Sequence, residues 1–409
     1  MLTSSYPFLT QEQFIESEIP RIQNGFDKII TLAIDIGKGA PKVRATPDNA
    51  DCYNIAVQSK TVSRLDSKIR GGVRFVVGSD FSDCDRDADT VKRKIFLEYF
   101  CARAKKEFGL CMNVLKKYDF SQYDSVTVYS YWFFVSAMIA SMIRDELKPH
   151  CKKIKLISRA HGYDVYESVN NLNFLPMRAY LLEKFDAVFP CSIDGEEHLR
   201  KKYPVFEKKI KHSYLGTADW GMSRGSEDGF HIVSCSHVIP LKRIERIISG
   251  LSLLKDAEIP NLKWTHIGDG EELEKIKKLA AEKLDFMEVE FTGDISNTDV
   301  LKFYRKNPVD LFVNVSRTEG LPVSLMEAIS FGIPVMATNV GGVSEIVKNN
   351  YNGRLLDADF DDEDFAFEIK KFSKGDAESK SKMRKNARLY WETNFDADKN
   401  YSEFLEKIV

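Results

Sequence analysis

The stretch from residue 310 to residue 338 reads Asp-Leu-Phe-Val-Asn-Val, then Ser-Arg-Thr-Glu-Gly-Leu-Pro-Val-Ser-Leu-Met-Glu-Ala-Ile-Ser-Phe-Gly, then Ile-Pro-Val-Met-Ala-Thr. Its first and last six residues are short, mainly apolar runs, which predict buried strands at 310–315 and 333–338. Between them a loop leads into a helix, and Pro322 suits the first turn of that helix because an amide there would be unpaired anyway. A strand, a helix and a second strand in this order predict a parallel sheet covered by helices.

The same alternation of strands and helices continues on both sides of this stretch. In the second half of the chain, the sequence predicts further strands at 231–236, 263–267 and 286–291, with helices at 242–254, 271–283, 297–306 and 342–348. In the first half, it predicts strands at 28–34, 73–77, 125–129, 154–158, 186–190 and 210–215, and helices at 11–22, 90–117, 131–147, 173–184 and 194–202. Such alternation is typical of an α/β fold with helices on both faces of each sheet.

A polar, glycine-containing run at 223–229 interrupts the pattern and is the best linker in the chain. We therefore expect an α/β fold of two Rossmann-like, doubly wound domains that face a central cleft, with boundaries at 1–222 and 230–389. The segment 390–409 is amphipathic, and we expect it to form a C-terminal helix that packs back toward the N-terminal domain. Ligands of open α/β sheets bind at the carboxyl ends of the strands, so the cleft is the expected site.

The composition bounds the class of protein. The 409 residues carry 59 basic and 61 acidic side chains, a net charge of −2, and 43% of them are hydrophobic. These proportions exclude disordered and collagen-like chains, and the balanced charge disfavours a nucleic-acid binder, which needs a positive field. Seven scattered cysteines form no CxxC or Cys/His cluster. Neither a disulfide framework nor a zinc site is therefore indicated, and we expect reduced cytosolic thiols.

Two features bear on secretion and on membranes. The N-terminal residues contain no basic region and no long apolar run, so we do not expect a signal peptide. The stretch 125–143 contains 19 residues without a charge, which is long enough in principle to cross a bilayer. Its β-branched beginning and its small residues further on predict a buried strand followed by a buried helix instead.

The pattern that points to chemistry lies at 316–327. Glu319 follows a predicted strand, and Gly320 allows a ligand to approach the backbone closely. The unpaired amides at the start of the next helix favour phosphate, and Glu327 lies further along that helix. Carboxylates accept hydrogen bonds from pairs of sugar hydroxyls. A phosphate site with one carboxylate on either side suits a sugar nucleotide.

This Glu-x7-Glu element and several other motifs together resemble those of retaining family 4 glycosyltransferases of the GT-B fold, in the branch that builds bacterial surface polysaccharides. The matching segments lie at 236–242, 268–270, 291–295, 331–338 and 340–342 in the second half, and at 159–164 in the first half. The resemblance covers nearly the whole chain and is most specific in the C-terminal motifs. It implies an enzyme that transfers a hexose from a nucleotide diphosphate sugar with retention of configuration, with UDP favoured over GDP.

The resemblance also implies a role for each matching residue. Glu319 contacts hydroxyls of the donor hexose, and the amides of Gly320 and its successor Leu321 bind the diphosphate. Lys242 neutralises the diphosphate as it leaves, and Glu327 holds the ribose.

Further residues complete the site that the resemblance implies. His161 touches the donor sugar near its anomeric centre and is, with the lysine and the first glutamate, one of three expected catalytic residues. The backbone near Asp294 and Ile295 reads the base, and Gly268 belongs to a turn at the donor site. His237 stands where the family commonly has arginine, in the loop that binds the donor phosphates.

The resemblance implies no metal and no other cofactor, because the lysine and the helix amides counter the diphosphate charge. The expected partners are a nucleotide-sugar donor and a growing lipid-linked glycan acceptor, whose binding residues the sequence does not identify. We expect a cytoplasmic enzyme, with peripheral contact with the inner membrane left open. A sugar-nucleotide 2-epimerase of the same fold stays an alternative. So does a catalytically silent partner of another transferase, if His237 signals lost diphosphate binding.

Three other segments need an interpretation. The acidic run 80–89 resembles a calcium loop but lacks its required Gly and Glu, which favours a solvated loop ending in a helix N-cap. Helix 90–117 carries many basic residues with apolar residues between them. A membrane-surface helix and a core helix with a solvated basic face are equal alternatives there. At the start of the chain, 5–10 take the place of the family's paired glycines, and the usual first strand is nearly absent.

Overall fold

The computed structural model of the chain describes residues 1–9, 12, 14–77, 85 and 87–409. The chain divides into two compact units, of which the first comprises Met1–Tyr214 with Tyr401–Val409 and the second comprises Leu215–Asn400. Each unit contains one six-stranded sheet. Every strand pair described in these sheets is parallel. Parallel neighbours need crossover connections, and the intervening helices supply them.

The first sheet and its helices follow the expected alternation. The strands are β1 (Leu2–Thr3), β2 (Ile29–Ala33), β3 (Ala50–Asn54), β4 (Val126–Ser130), β5 (Ile154–Ala160) and β6 (Ala187–Pro190). Their order in the sheet is β3-β2-β1-β4-β5-β6. The helices are α1 (Ile15–Ile22), α2 (Lys60–Val77), α3 (Val91–Leu115), α4 (Val135–Leu147), α5 (Gly162–Val165), α6 (Arg178–Lys184) and α7 (Ile193–Lys202).

The second sheet repeats this plan. Its strands are β7 (Phe230–Cys235), β8 (Leu262–Ile267), β9 (Glu288–Phe291), β10 (Leu311–Asn314), β11 (Val335–Thr338) and β12 (Gly353–Leu356). Their order is β12-β11-β10-β7-β8-β9. The helices are α8 (Ile244–Ser252), α9 (Leu273–Lys283), α10 (Asn297–Lys306), α11 (Val323–Ser330), α12 (Val343–Ile346), α13 (Asp362–Lys374), α14 (Ala377–Asn394) and α15 (Ala397–Ile408).

Between residues 231 and 348, the second half of the chain contains every strand and helix that its sequence predicts, although most of them are shorter than expected. The single C-terminal helix expected at 390–409 is divided in the structure, because α14 ends at Asn394 and α15 begins at Ala397. The expectation that helix 342–348 ends the series is wrong, because β12 adds a further edge strand beside β11. A Cβ atom added at Gly353 would lie 1.9 Å from the carbonyl oxygen of Val335. This strand therefore depends on a close backbone approach, and its four residues carry too little apolar pattern to be predicted.

Two strands predicted in the first half are wrong. Residues 73–77 belong to helix α2, and the edge strand next to β2 is β3 instead. The run 73–77 is rich in β-branched residues, but it ends a longer segment with helical spacing, and β3 is too polar to stand out. Residues 210–215 form only a bridge between Ile210 and Val188, so they run beside β6 without becoming a strand.

The first strand is short but central. Leu2 pairs with Leu32 on one side and with Ser130 on the other. The α-amino group of Met1 donates a 2.7 Å hydrogen bond to the carbonyl oxygen of Ile30. The nearly absent first strand that the sequence indicated is thus a two-residue strand in the middle of the sheet.

The uncharged stretch 125–143 forms strand β4 and helix α4. The prediction of a buried strand followed by a buried helix is therefore confirmed. Among the described helices, none is both long enough and apolar enough to cross a membrane.

A fully buried ion pair organises the core next to β5. The Nε atom of Arg159 lies 2.7 Å from Oε2 of Glu18, and neither side chain is exposed to solvent. The hydroxyl of Tyr129 donates a 2.6 Å hydrogen bond to the same carboxylate. On its other side, the guanidinium lies 3.9 Å from the ring centre of Phe404 in α15. The end of α15 thus covers a buried charge that is neutralised by α1.

We expect Glu18→Gln to lower the free energy of unfolding of the first unit by about 3–5 kcal/mol, because Arg159 then keeps a buried charge without a partner. The matched control is Asp124→Asn, which removes a largely exposed partner of Lys152 at 2.9 Å and should cost less than about 1 kcal/mol. Urea unfolding followed by tryptophan fluorescence measures both variants. Equal destabilisation of the two would contradict the role given to the buried pair.

Candidate functional site

The strand order of the second sheet places one crevice at its carboxyl edge. From β7 the chain proceeds through β8 to β9 on one side, and β10 then returns to pair with the opposite side of β7. In open α/β sheets, the loops that follow two such strands diverge, and ligands bind between them. The loops after β7 and β10 contain the predicted residues Lys242 and Glu319.

The structure brings these two predicted residues into contact. The Nζ atom of Lys242 donates a 2.6 Å hydrogen bond to Oε1 of Glu319. The Nδ2 atom of Asn314, at the end of β10, lies 3.2 Å from the same oxygen. The carboxylate therefore faces a cation and an amide donor, and an anionic ligand placed here would compete with Glu319 for the lysine.

The loops after β7 and β10 are fixed to each other through the backbone. The amide of Arg317 donates a 2.9 Å hydrogen bond to the carbonyl oxygen of Leu241. The buried side chain of Arg243 donates from Nε to the carbonyl oxygen of Val315 at 2.7 Å. Arg243 also has a left-handed backbone, with φ of 51°. Sequence reasoning missed Arg243, since nothing in its local pattern shows that it reaches the end of β10.

A glycine pair holds the loop of Glu319 from the side of β11. The amide of Gly342 donates a 2.8 Å hydrogen bond to the carbonyl oxygen of Gly320. Gly341 has φ of 52°, and a Cβ atom there would lie 2.0 Å from the carbonyl oxygen of Glu319. Only glycine fits this approach, which explains why the motif 340–342 accompanies the glutamate.

The turn after β8 approaches the loop after β7 in the same way. Gly268 has φ of 140°, and a Cβ atom there would lie 2.0 Å from the carbonyl oxygen of Ser236. Its amide donates a 3.0 Å hydrogen bond to the carbonyl oxygen of Gly293. The predicted residues Asp294 and Ile295 follow directly, the first exposed and the second half-buried. The turns after β8 and β9 therefore lie beside the loop after β7.

His237 follows β7 and is exposed. Its carbonyl oxygen accepts a 3.1 Å hydrogen bond from the amide of Ile239. The side chain therefore projects from a loop whose backbone is locally fixed, in the same loop that contains Lys242.

Helix α11 begins at Val323, with Pro322 as its N-cap and the buried residue Leu321 before it. Proline offers no side-chain acceptor, so it does not cap the amides of the first turn. Those amides, together with the positive end of the helix dipole, favour an anion at this position. The predicted phosphate site thus lies at the start of the helix that follows Glu319.

Glu327 lies on the same helix but inside the protein. Its Oε1 atom accepts a 2.7 Å hydrogen bond from Nδ2 of Asn297, the first residue of α10. Burial raises the pKa of Glu327 to about 7, and the hydrogen bond from Asn297 lowers it only in part. Burial, and next the charge of Glu327, raise the pKa of the nearby Cys235 thiol to about 12. Ser296 is the N-cap of α10, so the side chain of Asn297 is not needed for capping.

His161 belongs to the first unit, where it follows β5. Its ring lies 4.6 Å from that of Trp132 and is stacked 5.1 Å from that of Tyr131 and 5.3 Å from that of Phe14. Burial first, and the charge of Arg159 second, lower its pKa to about 3. The ring is therefore neutral at physiological pH.

The hydrogen bond of the His161 ring assigns its tautomer. Nε2 lies 3.1 Å from the carbonyl oxygen of Tyr131, which can only accept, so the proton resides on Nε2 and Nδ1 is an acceptor. The backbone amide donates to Asp164, which also accepts from the amide of Phe133. Burial raises the pKa of Asp164 to about 7, while the charge of Arg178 opposes this rise.

A carboxylate missed by the sequence contacts Trp132, whose ring packs against His161. Glu12 accepts hydrogen bonds from the backbone amides of Ser4, Ser5 and Tyr6 at 2.6 to 2.8 Å. The indole nitrogen of Trp132 donates to it at 2.6 Å. The loop that replaces the family's paired glycines therefore binds an anionic group of the chain itself. Glu12 and Trp132 lie 120 positions apart, so no local sequence pattern predicts their contact.

The acidic run 80–89 lies partly outside the described residues, since 80–84 and 86 are not described. The described residue Thr90 is the N-cap of α3, and its hydroxyl accepts a 3.3 Å hydrogen bond from the amide of Arg93. Within the described parts of the chain, no group of three or more His, Cys, Asp or Glu side chains is arranged to hold a metal ion.

Comparison with known proteins gives a family match for the part of the chain that carries this site. Residues 223–390 match the family described as glycosyl transferases group 1. The O-antigen biosynthesis glycosyltransferase WbnH of Escherichia coli is 31% identical over 210 residues, which are 51% of this chain and 58% of WbnH. A GDP-mannose-dependent phosphatidylinositol monomannoside mannosyltransferase of Mycobacterium tuberculosis is 30% identical over 133 residues, 31% of this chain and 34% of that protein. The chain thus spans little more than half the length of the first of these relatives.

Solved structures agree with the fold. Anabaena HepE, solved with UDP and glucose, has a TM-score of 0.66 at 13% identity over 99% of this chain and 97% of its own. Sucrose-phosphate synthase from Thermosynechococcus elongatus has a TM-score of 0.68 at 15% identity over 96% of this chain and 90% of its own. At such identities the likeness shows the fold alone. The predicted fold class, two Rossmann-like domains of the GT-B type, is confirmed.

The raised pKa of Glu327 predicts a pH-dependent stability. The unfolded carboxyl ionises near 4.5 and the folded one near 7, so its contribution is present at low pH and is lost as the pH rises through 7. Glu327→Gln removes this loss. We expect the stability of the variant relative to the unmodified protein to increase by on the order of 3 kcal/mol between pH 4.5 and pH 8.

Urea unfolding at the two pH values measures this difference. The pKa of Asp164 is also raised, but this residue is present in both proteins, so its contribution cancels in the difference between their stabilities. A constant difference between the two proteins at all pH values would contradict the burial of an ionisable Glu327.

Proposed function

We propose that this protein is a glycosyltransferase that moves a hexose from a nucleotide diphosphate sugar to a lipid-linked glycan of a surface polysaccharide, with retention of configuration. The observation that carries the proposal is the 2.6 Å contact between Lys242 and Glu319 beside the start of α11. A cation, a helix start and a carboxylate match the diphosphate and the sugar hydroxyls of such a donor. The family match of residues 223–390 and the similarity to an O-antigen glycosyltransferase support it.

In this proposal, Lys242 changes its partner when the donor binds. The diphosphate offers more negative charge than one carboxylate, so it attracts the lysine and releases Glu319 to accept hydrogen bonds from the hexose hydroxyls. The amides of Gly320, Leu321 and the first turn of α11 bind the same diphosphate. As the bond to the sugar breaks, negative charge grows on the leaving phosphate, where these donors stabilise it.

The remaining steps involve the sugar and the acceptor. The acceptor hydroxyl attacks the anomeric carbon on the side of the leaving group, the bond to the phosphate oxygen breaks, and that oxygen takes the acceptor proton. This front-face displacement retains the configuration without a covalent enzyme intermediate. His161, which is neutral because of its lowered pKa, contacts the sugar through a hydrogen bond rather than through charge.

The nucleoside part of the donor is held by the buried end of the site. Glu327 accepts hydrogen bonds from the ribose hydroxyls, and binding favours its ionised form because an ionised carboxylate is the better acceptor. The backbone near Asp294 and Ile295 reads the base, with uridine favoured over guanosine. Gly268 and His237 border the diphosphate, where the histidine takes the position of the family's usual arginine.

The test of the reaction is product analysis with labelled donors and an extracted lipid-linked acceptor. We expect the label in the acceptor with retained configuration, and full activity in excess EDTA, because lysine and amides counter the diphosphate charge. Release of a free epimer would show an epimerase, and absence of any product would show a silent partner. Loss of activity in EDTA that manganese or magnesium restores would contradict the proposed charge balance.

A second test separates binding from chemistry. We expect His161→Ala to reduce kcat about a hundredfold and to leave the Kd for UDP within about twofold, since the histidine acts on the sugar. Lys242→Ala should instead weaken UDP binding by about 1.5–3 kcal/mol. Calorimetric titration with UDP and steady-state kinetics measure the two effects. Normal turnover in His161→Ala would make that residue a structural histidine.

A further inference from the structure

Helix α2 presents an apolar stripe to solvent. The exposed fractions are 49% for Val62, 56% for Leu65, 60% for Ile69 and 58% for Val73. Their spacing of three, four and four residues places all four side chains on one face of the helix. A helix at the surface of a soluble domain ordinarily turns such a face toward its own core.

The face of α2 that packs against the rest of the protein is formed by small and polar residues instead. Ser67 is buried, and its hydroxyl donates a 3.0 Å hydrogen bond to the carbonyl oxygen of Ser63. A Cβ atom added at Gly71 would lie 2.8 Å from the backbone of Tyr99 in α3. The two helices thus approach through a glycine and serines, and the side chains of Val62, Leu65, Ile69 and Val73 are not needed for this packing. The amphipathic pattern of α2 is therefore directed outward.

The charge of α2 indicates what this face contacts. The helix contains five basic residues and one acidic residue, a sum of +4. Lys60 and Arg64 each contact Asp35. Lys68 and Arg70 are exposed and lie on the two sides of the apolar stripe. Arg70 also pairs on the surface with Asp66, at 3.0 Å from its Nε atom, and Asp66 pairs in turn with Lys106 of α3, so this edge keeps a positive excess. An apolar stripe with cations along both edges is complementary to a layered surface whose interior is apolar and whose outermost groups are anionic.

We propose that the outward face of α2 binds an anionic lipid surface, with the helix lying in the plane of the headgroups. The apolar side chains enter the boundary of the acyl chains, while Lys68 and Arg70 extend to the headgroups. No described helix could cross a membrane, so the contact is peripheral. It goes beyond the proposed glycosyl transfer and does not depend on it.

Helix α3, for which the sequence left a membrane-surface role open, is less suited to this contact. It buries Leu97, Phe100, Ala104 and Cys111 in the core of the first unit. Its apolar side chains are thus mostly engaged in folding. Of its basic residues, Arg103 and Lys106 are largely buried and pair with Asp35 and Asp66. The lipid-binding surface is assigned to α2 for this reason.

Sedimentation of the full chain with vesicles tests this proposal. One set of vesicles contains phosphatidylglycerol and phosphatidylcholine, and the other contains phosphatidylcholine alone. We expect the unmodified protein to sediment with the anionic vesicles, and the double variant Leu65→Gln, Ile69→Gln to bind them at least about tenfold more weakly. The variant Lys68→Gln, Arg70→Gln should lose the preference for anionic over neutral vesicles, and added salt should have the same effect.

The matched control is the double variant Phe367→Gln, Leu389→Gln, which makes the same change at helical residues that are 64% and 53% exposed in the second unit. It should bind vesicles like the unmodified protein. Unfolding midpoints of all variants establish that they are folded, and calorimetric titration with UDP shows separately whether the donor site is intact.

Three outcomes would overturn the proposal. The first is an unmodified protein that does not sediment with anionic vesicles. The second is equal binding by the unmodified protein and the variant at Leu65 and Ile69. The third is a dimer in solution that this variant dissociates, because the face would then be an interface between two copies of the chain.

Discussion

The reversal of strand order at β7 is the constraint on which the candidate site depends. Because the chain leaves β7 toward β8 and later returns to its other side as β10, the two following loops must diverge at one edge of the sheet. Parallel topology then brings residues 77 positions apart, Lys242 and Glu319, into contact without any local sequence signal. The chemistry of the loops is thus a consequence of the order in which buried strands pair.

The backbone around that contact is fixed before any ligand binds. Gly268 and Gly341 allow approaches that any side chain would obstruct, and Arg243 ties its own loop to the end of β10. Gly268 joins the turn after β8 to the loop of Lys242, Gly341 joins the turn after β11 to the loop of Glu319, and Arg243 joins these two loops to each other. Donors that are already oriented stabilise developing charge without a cost of reorganisation at the moment of reaction. The glycine motifs that look like turn signals in the sequence therefore also hold the loops of Lys242 and Glu319 in place.

Sequence reasoning succeeded where the information is local and failed where it is not. The strands and helices of the second half have strong apolar periodicity, and all those predicted between residues 231 and 348 occur. The stretch 73–77 looked like a strand because three of its five residues are valine, but the helical spacing that begins at Val62 extends through it. Arg243 was missed because its partner Val315 lies 72 positions away. Glu12 was missed because its contact with Trp132, 120 positions away, depends on the fold. The family motif predicted a separate role for Lys242 and for Glu319. It did not predict that the two side chains contact each other, which only the structure shows.

Burial distinguishes two ion pairs that look alike in their distances. The pair of Arg159 and Glu18 is fully buried, and separating it would leave a charge in a medium that cannot solvate it. The pair of Lys242 and Glu319 is of similar length, but its side chains are 19% and 11% exposed. Water and an incoming anion can therefore reach the lysine, so the cost of separating the pair falls when a better anion is available. The pair of Arg159 and Glu18 holds β5, α1 and α15 together permanently. The pair of Lys242 and Glu319 instead suits a site in which the lysine leaves the carboxylate for an anionic ligand and returns to it when the ligand is released.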